Sequence, residues 1–416
     1  MAAASRHIEV NPENEWRLRT PGAQHWQRGV RPNSTKKKYY IISCDAHLNP
    51  PANLFKERLD TKWHDMLPRV EIRDGSRYLI VPGIEDTRLI DSDLQGEDLV
   101  RTKSGAQLGR ERENIGINEG RIADQKLDGV DGEVIFPNGA ALFMWASKQN
   151  DFVGAQCQVW NSWIAEVCSP HYDFCNPAAV LFPMDIGGSI KEVERVAKLG
   201  VRVVMLPCKP VFGVPDVRDP NYNLPEFDPL WAAIQDHDLA ITYHVGTSRD
   251  PRGARGHGGA IINYVVHALA PTMEPIVNMC TSGVFERYPK LRVATIEANA
   301  GWVPWMLQSM DEGYKKHHMW VRPKLKSLPS EQYRSNCFSS FGEDEAAVEL
   351  CEKYKLEDNL MWANDFPHHE GSWPHSAEAI ERTLGNVAMS EQTRANLLGF
   401  NAARAFKFDI PNSSRD

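Results

Sequence analysis

The feature that most constrains the fold is a series of short, almost continuously apolar runs that alternate with helical patterns. Continuous apolar runs are typical of strands that are buried on both faces, and helical segments between them imply parallel crossover connections. Eight such runs predict an α/β chain folded as a (β/α)8 barrel of the TIM type, although a doubly wound open sheet gives a similar alternation. The runs are "YYIISCD" (39–45), "GEVIFPN" (132–138), "AAVLFPMD" (178–185), "VRVVMLP" (201–207), "LAITYHV" (239–245), "LRVATIE" (291–297), "NCFSSF" (336–341) and "NLMWAND" (359–365).

Two polar stretches interrupt this alternation and predict additions to the barrel. Residues 1–37 are polar and lack periodicity, so we interpret them as an N-terminal arm whose Trp16 and Trp26 would anchor it on another surface or subunit. Residues 38–410 form the predicted barrel domain. Within it, the polar stretch at about 53–119 is too long for an ordinary βα loop. We expect it to be a lid-like insertion after strand 1 that helps to shape a substrate pocket.

Local patterns mark three of the connecting helices. Ser189 and Glu192 have the spacing of a capping box, and Gly200 ends the predicted helix. Asp228 is the predicted N-cap of the next helix, with a proline at the first helical position. The segment 390–406 is predicted to be a closing amphipathic helix.

The overall composition narrows the classes of partner. Apolar residues make up 42% and charged residues 25%, which is typical of a globular protein. The net charge of −8 and the absence of long basic runs argue against nucleic acid or an anionic membrane as a partner. No stretch approaches the length of an apolar membrane span. The eight cysteines are scattered without a CxxC pair, which indicates reduced thiols in a cytoplasmic protein. The partner that we expect is a small-molecule substrate.

Ionisable side chains recur at the carboxyl ends of four predicted strands. In a barrel these ends converge on the face that carries the active site. Carboxylates and imidazoles crowded into an apolar mouth require a neutralising partner, and a divalent metal supplies it. The mixed N/O set suits Zn²⁺, Mn²⁺ or Fe²⁺. The candidate ligands are Asp45, His47, His244, Glu297, Asp365 and His368.

Six candidates exceed the needs of one tetrahedral ion. They fit either one metal with a general base beside it or two metals bridged by a carboxylate. Taken singly, each residue has a structural explanation: Asp45 and His47 would serve as a strand-end cap, and Asp365, close before Pro367, as a turn former. The functional interpretation depends on the coincidence of four strands carrying such groups at the same end.

A Gly-rich loop after His244 carries three arginines. Arg249, Arg252 and Arg255 lie in "GTSRDPRGARGHGG". Because an arginine offers a bidentate fork to carboxylates, these residues are candidates for binding a substrate carboxylate. A solvated loop without a ligand explains the same pattern equally well.

Five motifs together resemble the amidohydrolase-related branch of the metal-dependent hydrolase superfamily, which includes aminocarboxymuconate-semialdehyde decarboxylase. They are "DAHLNPP", "DGVDGEVIFPN", "HVGTS", "GVFERYPKLRVATIEANAGWVPWML" and "NDFPHHEGSWPHS", and the resemblance spans nearly all of 38–406. It implies a barrel with a metal at the strand ends. The HxH of the decarboxylases reads here as Asp45-x-His47, and Glu297 stands where they have a histidine. Relatives with the DxH form often have a glutamate where this chain has Pro50.

The resemblance implies a metal-dependent hydrolase or non-oxidative decarboxylase acting on a small carboxylate-bearing or aromatic metabolite. Asp365, or else His368, is the candidate for proton transfer. The additional carboxylates favour Mn²⁺ or Fe²⁺ over a lone Zn²⁺. One alternative is a dinuclear non-haem oxygenase, and another is a non-catalytic subunit that partners an active paralogue. We expect either a homo-oligomer or a hetero-oligomer with such a paralogue.

Overall fold

Eight parallel strands form the core of the molecule. The computed structural model describes residues 39–82, 86–88, 116–117, 119–147, 149–212, 216–247, 254, 256–317, 319–368 and 371–411. The barrel strands are β1 (Ile42–Leu48), β5 (Gly132–Pro137), β6 (Cys175–Val180), β7 (Val203–Leu206), β8 (Ala240–His244), β9 (Arg292–Ile296), β10 (Cys337–Phe341) and β11 (Leu360–Trp362). They pair side by side in this order, and the three strands numbered in between form a separate sheet, described below.

The sheet closes between its first and last strands. Ala46 and Phe366 form a parallel bridge, and the His47 backbone N–H donates to the Phe366 carbonyl at 2.7 Å. Each of the eight predicted apolar runs contains or overlaps one barrel strand, so the predicted (β/α)8 barrel is confirmed and the open sheet is not formed. The β6 strand begins three residues before its predicted run, at Cys175 rather than Ala178.

Helices connect the strands and cover the outside of the barrel. Alternate residues of β8 show how the layers divide. Ile241 and Tyr243 pack into the cluster shared with the outer helices, whereas Thr242 and His244 have the opposite parity and face the barrel interior. The longer α-helices are Glu119–Leu127, Asn150–Cys168, Ile186–Lys198, Asp228–Asp236, Met273–Thr281, Val303–Lys316, Pro329–Asn336 and Ser376–Leu384.

The insertion after β1 is built only in part from described residues. It begins with a short helix, Leu54–Arg58, and a 3-10 helix, Thr61–Met66. A small antiparallel sheet follows, made of β2 (Arg69–Arg73), β3 (Ser76–Ile80) and β4 (Thr87–Arg88). The rest of the predicted lid, 83–85, 89–115 and 118, and the predicted arm, 1–37, lie outside the described residues, so both stay predictions.

The predicted capping box at Ser189 and Glu192 is wrong. The helix begins earlier, at Ile186, and Asp185 is its N-cap, accepting from the Gly188 N–H at 2.8 Å. Ser189 instead exchanges two hydrogen bonds with the backbone of Phe182. The Asp185 carboxylate therefore caps a backbone N–H of the first turn, and Ser189 lies inside the helix rather than at its N-cap.

The predicted N-cap at Asp228 is also wrong. A 3-10 turn, Pro225–Phe227, runs directly into the helix, so Asp228 is its first residue rather than its cap. Its carboxylate pairs with the guanidinium of Arg287 at 2.9 Å. The closing segment is helical as predicted. Ser390 is the N-cap, its side chain accepts from the Thr393 N–H, and a π-helical turn follows at Asn396–Phe400.

Among the described residues, no helix is both long enough and apolar enough to cross a lipid bilayer.

The closing helical segment approaches β1 so closely that one position must be glycine. A Cβ at Gly399 would lie 2.0 Å from the carbonyl oxygen of Tyr40. We expect Gly399→Ala to lower the free energy of unfolding by about 1–3 kcal/mol, because the backbone must shift to relieve the clash. Gly154, within the helix Asn150–Cys168, has open space around its Cβ position.

The matched variant Gly154→Ala should therefore be neutral or stabilising by up to about 1 kcal/mol, since alanine is the better helix former. Urea unfolding of both variants measures the difference. Equal stability of the two would show that the strand and the helix are not in close contact.

Candidate metal centre

All six predicted ligands meet at the carboxyl end of the barrel. Asp45 and His47 are two residues apart on β1 and therefore project from the same face. His244 is the last residue of β8, and Glu297 follows β9 directly. The remaining two, Asp365 and His368, follow β11. The predicted convergence on one face of the barrel is thus what the structure shows.

Four ligand atoms surround one point. The Asp45 Oδ1 atom lies 3.4 Å from both His47 Nε2 and His244 Nε2. Glu297 Oε2 lies 3.4 Å from His244 Nε2 and 3.9 Å from His47 Nε2. Two tetrahedral ligands that are each about 2.1 Å from a metal ion are about 3.4 Å from each other. The spacing therefore fits one divalent transition-metal ion.

A second group of ligand atoms overlaps the first. Asp365 Oδ1 lies 3.3 Å from His47 Nε2 and 3.2 Å from His368 Nδ1. His47 and Glu297 belong to both groups. The Nε2 atom of His47 has one lone pair and can bind one ion, whereas the carboxylate of Glu297 has two oxygens and can bridge. A second ion would therefore be held by Glu297, Asp365 and His368.

Several of these atoms are buried without a hydrogen bond. Asp45, His47 and His244 are at most 1% exposed. Both carboxylate oxygens of Asp45 and the Nε2 atoms of His47 and His244 have no hydrogen-bond partner in the described part of the chain. Because buried polar atoms are normally satisfied, this set of facing acceptor atoms fits a bound cation.

Backbone carbonyls orient two of the imidazoles. His47 Nδ1 donates to the Pro137 carbonyl at 3.1 Å, and His244 Nδ1 donates to the Val245 carbonyl at 3.0 Å. A carbonyl only accepts, so each Nδ1 carries the proton and each Nε2 presents its lone pair to the centre. Burial, and then the neighbouring His368, lowers the pKa of His47 well below its usual range, so this imidazole is neutral at pH 7.

The third imidazole has the opposite orientation. His368 Nε2 donates to Asn138 Oδ1 at 3.0 Å, which leaves Nδ1 towards Asp365. The His368 ring also stacks on that of His47, with centroids 4.0 Å apart. Asn138 was not predicted from the sequence, although it ends an apolar run in the same way as the predicted ligands do.

Two of the ligands sit on strained backbone. Glu297 has φ = 56° and Asp365 has φ = 53°, in the left-handed region that non-glycine residues rarely adopt. The Glu297 N–H donates to Ser340 Oγ at 2.8 Å, and the carboxylate of Asp344 accepts from the Ala300 and Gly301 N–H groups at 2.7 Å. Such strain persists where the surrounding structure fixes it, and it concentrates at functional sites.

Comparison with known proteins gives the family. A sequence model of the amidohydrolase family matches residues 44–408, which is most of the chain. The chain belongs to the amidohydrolase family. The family and the enzyme class expected from the motifs, a metal-dependent hydrolase or decarboxylase, are thereby confirmed. No curated protein matched the sequence of this amidohydrolase.

Solved structures of low sequence identity share its fold. The 5-carboxyvanillate decarboxylase from Sphingomonas paucimobilis has a TM-score of 0.61 at 20% identity, over 89% of this chain and 100% of that one. The 5-carboxyvanillate decarboxylase from Novosphingobium aromaticivorans, solved with bound manganese, has a TM-score of 0.61 at 17% identity, over 89% and 97%. The 2,6-dihydroxybenzoate decarboxylase from Rhizobium has a TM-score of 0.56 at 16% identity, over 89% and 99%.

A buried ion pair fixes the first barrel strand of this amidohydrolase behind the ligands. The guanidinium of Arg121 binds both carboxylate oxygens of Glu133 on β5, at 2.7 and 3.0 Å. It also donates to the His47 carbonyl at 3.1 Å and lies 4.6 Å from the ring centroid of Phe366. Arg121 thus contacts the backbone of one ligand and the residue that follows Asp365.

A chain of carboxamides extends this pair to the last strand. Gln125 donates to Glu133 at 2.8 Å and accepts from the Asn364 side chain at 2.9 Å. Asn364 immediately precedes Asp365 in the chain. We did not predict Arg121 or Glu133 from the sequence, because the arginine lies at the end of the insertion and the glutamate lies within a run that otherwise reads as an apolar strand.

The Arg121–Glu133 pair gives a stability prediction. We expect Arg121→Met to lower the free energy of unfolding by about 3–5 kcal/mol, because Glu133 is left buried without its partner. The double variant Arg121→Met/Glu133→Leu should recover most of that loss, since it removes both charges. Urea unfolding of the metal-free proteins measures this. A double variant no more stable than the single one would mean that the unpaired charge is not the cause.

The three predicted substrate-binding arginines lie outside the described residues. Arg249, Arg252 and Arg255 therefore stay a prediction. The described residues do place a cavity of about 200 Å³ against the carboxylates of Asp45, Glu297 and Asp365. A reacting group can thus lie beside the ligand atoms.

Proposed function

We propose that this amidohydrolase is a metal-dependent, non-oxidative decarboxylase of an aromatic carboxylate. The observation that carries the proposal is the convergence of Asp45, His47, His244 and Glu297 around one cation position, with Asp365 beside it in the overlapping second group. The three fold neighbours described above are decarboxylases of aromatic acids, and one of them was solved with manganese. We therefore propose Mn²⁺ as the first ion to test, with Fe²⁺ and Zn²⁺ as alternatives.

The small cavity supports a substrate whose reacting end is a single ring. Its volume is about 200 Å³. An apolar cavity of about 150 Å³ can bind benzene, so this space can hold one ring with its carboxylate. Three of the residues that line it, Asp45, Glu297 and Asp365, are carboxylates, and a bound cation would make the space suitable for an anion.

The described residues can supply a proton beside this space. When bound, a divalent cation would neutralise the ligand carboxylates and stabilise negative charge on substrate oxygens. Asp365 Oδ1 and His368 Nδ1 are 3.2 Å apart and can share one proton. That proton would pass to the ring carbon that bears the carboxylate. The electrons of the breaking C–C bond then return to the ring, and CO₂ leaves.

His368 is held so that it can reload the proton. Its Nε2–H donates to Asn138, and its ring stacks on that of His47. The imidazole therefore has a fixed orientation towards Asp365. In this arrangement Asp365 transfers the proton to the substrate, and His368 orients Asp365 and returns a proton to it. Both residues that were predicted to be catalytic thus keep a role in the proposal.

We keep the dinuclear oxygenase as a second candidate on one observation. Two overlapping groups of ligand atoms share Glu297, the only ligand common to both groups that can bridge two ions. Dinuclear centres use a carboxylate in this way. Such an enzyme would consume O₂ rather than release CO₂, so a single assay with both readouts separates the candidates.

We also propose that the enzyme acts in the cytoplasm as a homo-oligomer or together with a paralogue. The eight free, buried cysteines support the cytoplasm as the compartment. The predicted arm that bears two tryptophans supports the assembly with another subunit. Nucleic acid and membranes are not proposed as partners. The proposal of a purely non-catalytic subunit would gain support only if the metal-loaded protein were inactive alone and active with its paralogue.

The role of Asp365 gives the functional prediction. We expect Asp365→Asn to lower the rate of CO₂ release by about 10²–10⁴-fold, because an amide cannot transfer the proton. The assay uses manganese-loaded protein with 2,6-dihydroxybenzoate, 5-carboxyvanillate and salicylate. Metal content is measured in parallel, so that loss of the ion is distinguished from loss of proton transfer.

The matched control is Asp236→Asn, which makes the same change on the exposed end of an outer helix. It should keep the wild-type rate. Full activity of Asp365→Asn, or O₂ uptake without CO₂ release by the wild type, would contradict the proposed reaction.

A further inference from the structure

A second and larger cavity opens at the same end of the barrel. Its volume is about 910 Å³. It lies between the segment that follows β1, the 3-10 helix Thr61–Met66, and the segment that follows β5. Residues of its wall include Asn49, Phe55, Asn138, Ala141, Met144 and Gln156. The insertion after strand 1 thus forms one side of it.

This cavity is adjacent to the metal ligands. Asn138 is part of its wall, and the Asn138 carboxamide accepts the hydrogen bond of His368 at 3.0 Å. Asn49, also in the wall, is two residues after His47 in the chain. Asn138 therefore connects the ligand cluster with the wall of the large cavity, and the small cavity lies against the carboxylates of the same cluster.

The inner wall is apolar with carboxamides. Ala141 and Met144 are 2% exposed, Gln156 is 5% exposed, and Phe55 is half-buried. Carboxamides can donate or accept, so they suit hydroxyl, ether or carbonyl substituents of a ligand. The inner wall thus combines an apolar surface with a few hydrogen-bonding groups, which is typical of sites for small organic molecules.

The charged residues lie at the mouth of this cavity. Lys56, Asp65 and Arg69 line it and are exposed. Arg69 pairs with Glu71 at 2.7 Å, so its charge is compensated within the insertion. The inner part, in contrast, is lined by uncharged side chains. An ionic group of a ligand therefore belongs at the metal cluster and not inside the large cavity.

We propose that the large cavity binds the body of the substrate, and that the substrate is an aromatic carboxylic acid with more than one ring. This inference rests on the proposed function. The carboxylate and the ring that bears it lie at the ligand cluster, where the space is about 200 Å³. The additional ring or rings pack against Phe55, Ala141 and Met144, and polar substituents meet Asn138 or Gln156.

The first test compares two acids on the wild-type protein loaded with Mn²⁺. Salicylate has one ring, and 1-hydroxy-2-naphthoate has the same carboxylate and hydroxyl with a fused second ring. We expect the naphthoate to bind about tenfold tighter or more, because the additional ring is removed from water. Isothermal titration calorimetry measures both dissociation constants. Equal or weaker binding of the naphthoate, or binding of neither acid, overturns the inference.

The second test fills the cavity. Ala141→Phe places a ring where the second ring of the ligand would lie, so the ratio of the two affinities should fall to about one. Phe55→Ala removes an apolar wall and should also reduce the ratio, which keeps the test decisive if Ala141→Phe does not fold. Ala346→Phe, at an exposed position that does not line the cavity, is the matched control and should keep the wild-type ratio.

These outcomes are separate from those of the proposed function. Protein that binds Mn²⁺ and releases CO₂ from salicylate, but binds both acids equally, would retain the proposed reaction and overturn the larger substrate. Protein that binds the naphthoate more tightly, and loses this preference in Ala141→Phe, supports the larger substrate whatever gas is consumed or released.

Discussion

The structure depends on bringing three carboxylates and three imidazoles into one buried mouth. The carboxylates of Asp45, Glu297 and Asp365 repel one another where they are ionised, and a bound cation would compensate that repulsion. Burial lowers the pKa of His47 well below its usual range, so protonation of this imidazole does not supply that charge. A divalent metal would satisfy the acids and the imidazole lone pairs together.

Closure of the barrel is what holds these groups in register. The first and last strands are joined by the bridge between Ala46 and Phe366, and Arg121 binds behind it. The Arg121–Glu133 ion pair and the carboxamides bonded to it thus contact both the β1 segment and the segment after β11 that carry candidate ligands. The strained backbone of Glu297 is held by its N–H bond to Ser340, and the Asp365 carbonyl accepts from the His368 N–H at 2.8 Å. The same contacts therefore hold both the barrel and the candidate site together.

How much could be predicted from the sequence follows from the range of each interaction. The ligands were predictable because parallel strands bring their carboxyl ends to one face, so polar residues such as His244 and Glu297 at the ends of apolar runs must meet. The helix caps were not: Ser189 and Asp228 fit local patterns, but Asp185 and a preceding 3-10 turn take those roles. Arg121 was missed because nothing local marks a buried arginine and because its partner Glu133 lies within a run that otherwise reads as an apolar strand.

The most direct test of the cation site is metal quantification by inductively coupled plasma mass spectrometry after loading with Mn²⁺ and exhaustive dialysis. We predict at least one ion per chain in the wild type and in His237→Asn, which changes an exposed histidine outside the candidate metal centre. We predict less than a tenth of that in the double variant Asp45→Asn/His244→Asn, with an unchanged circular dichroism spectrum. A metal-free wild type, or a double variant that keeps its full complement of ions, would contradict it.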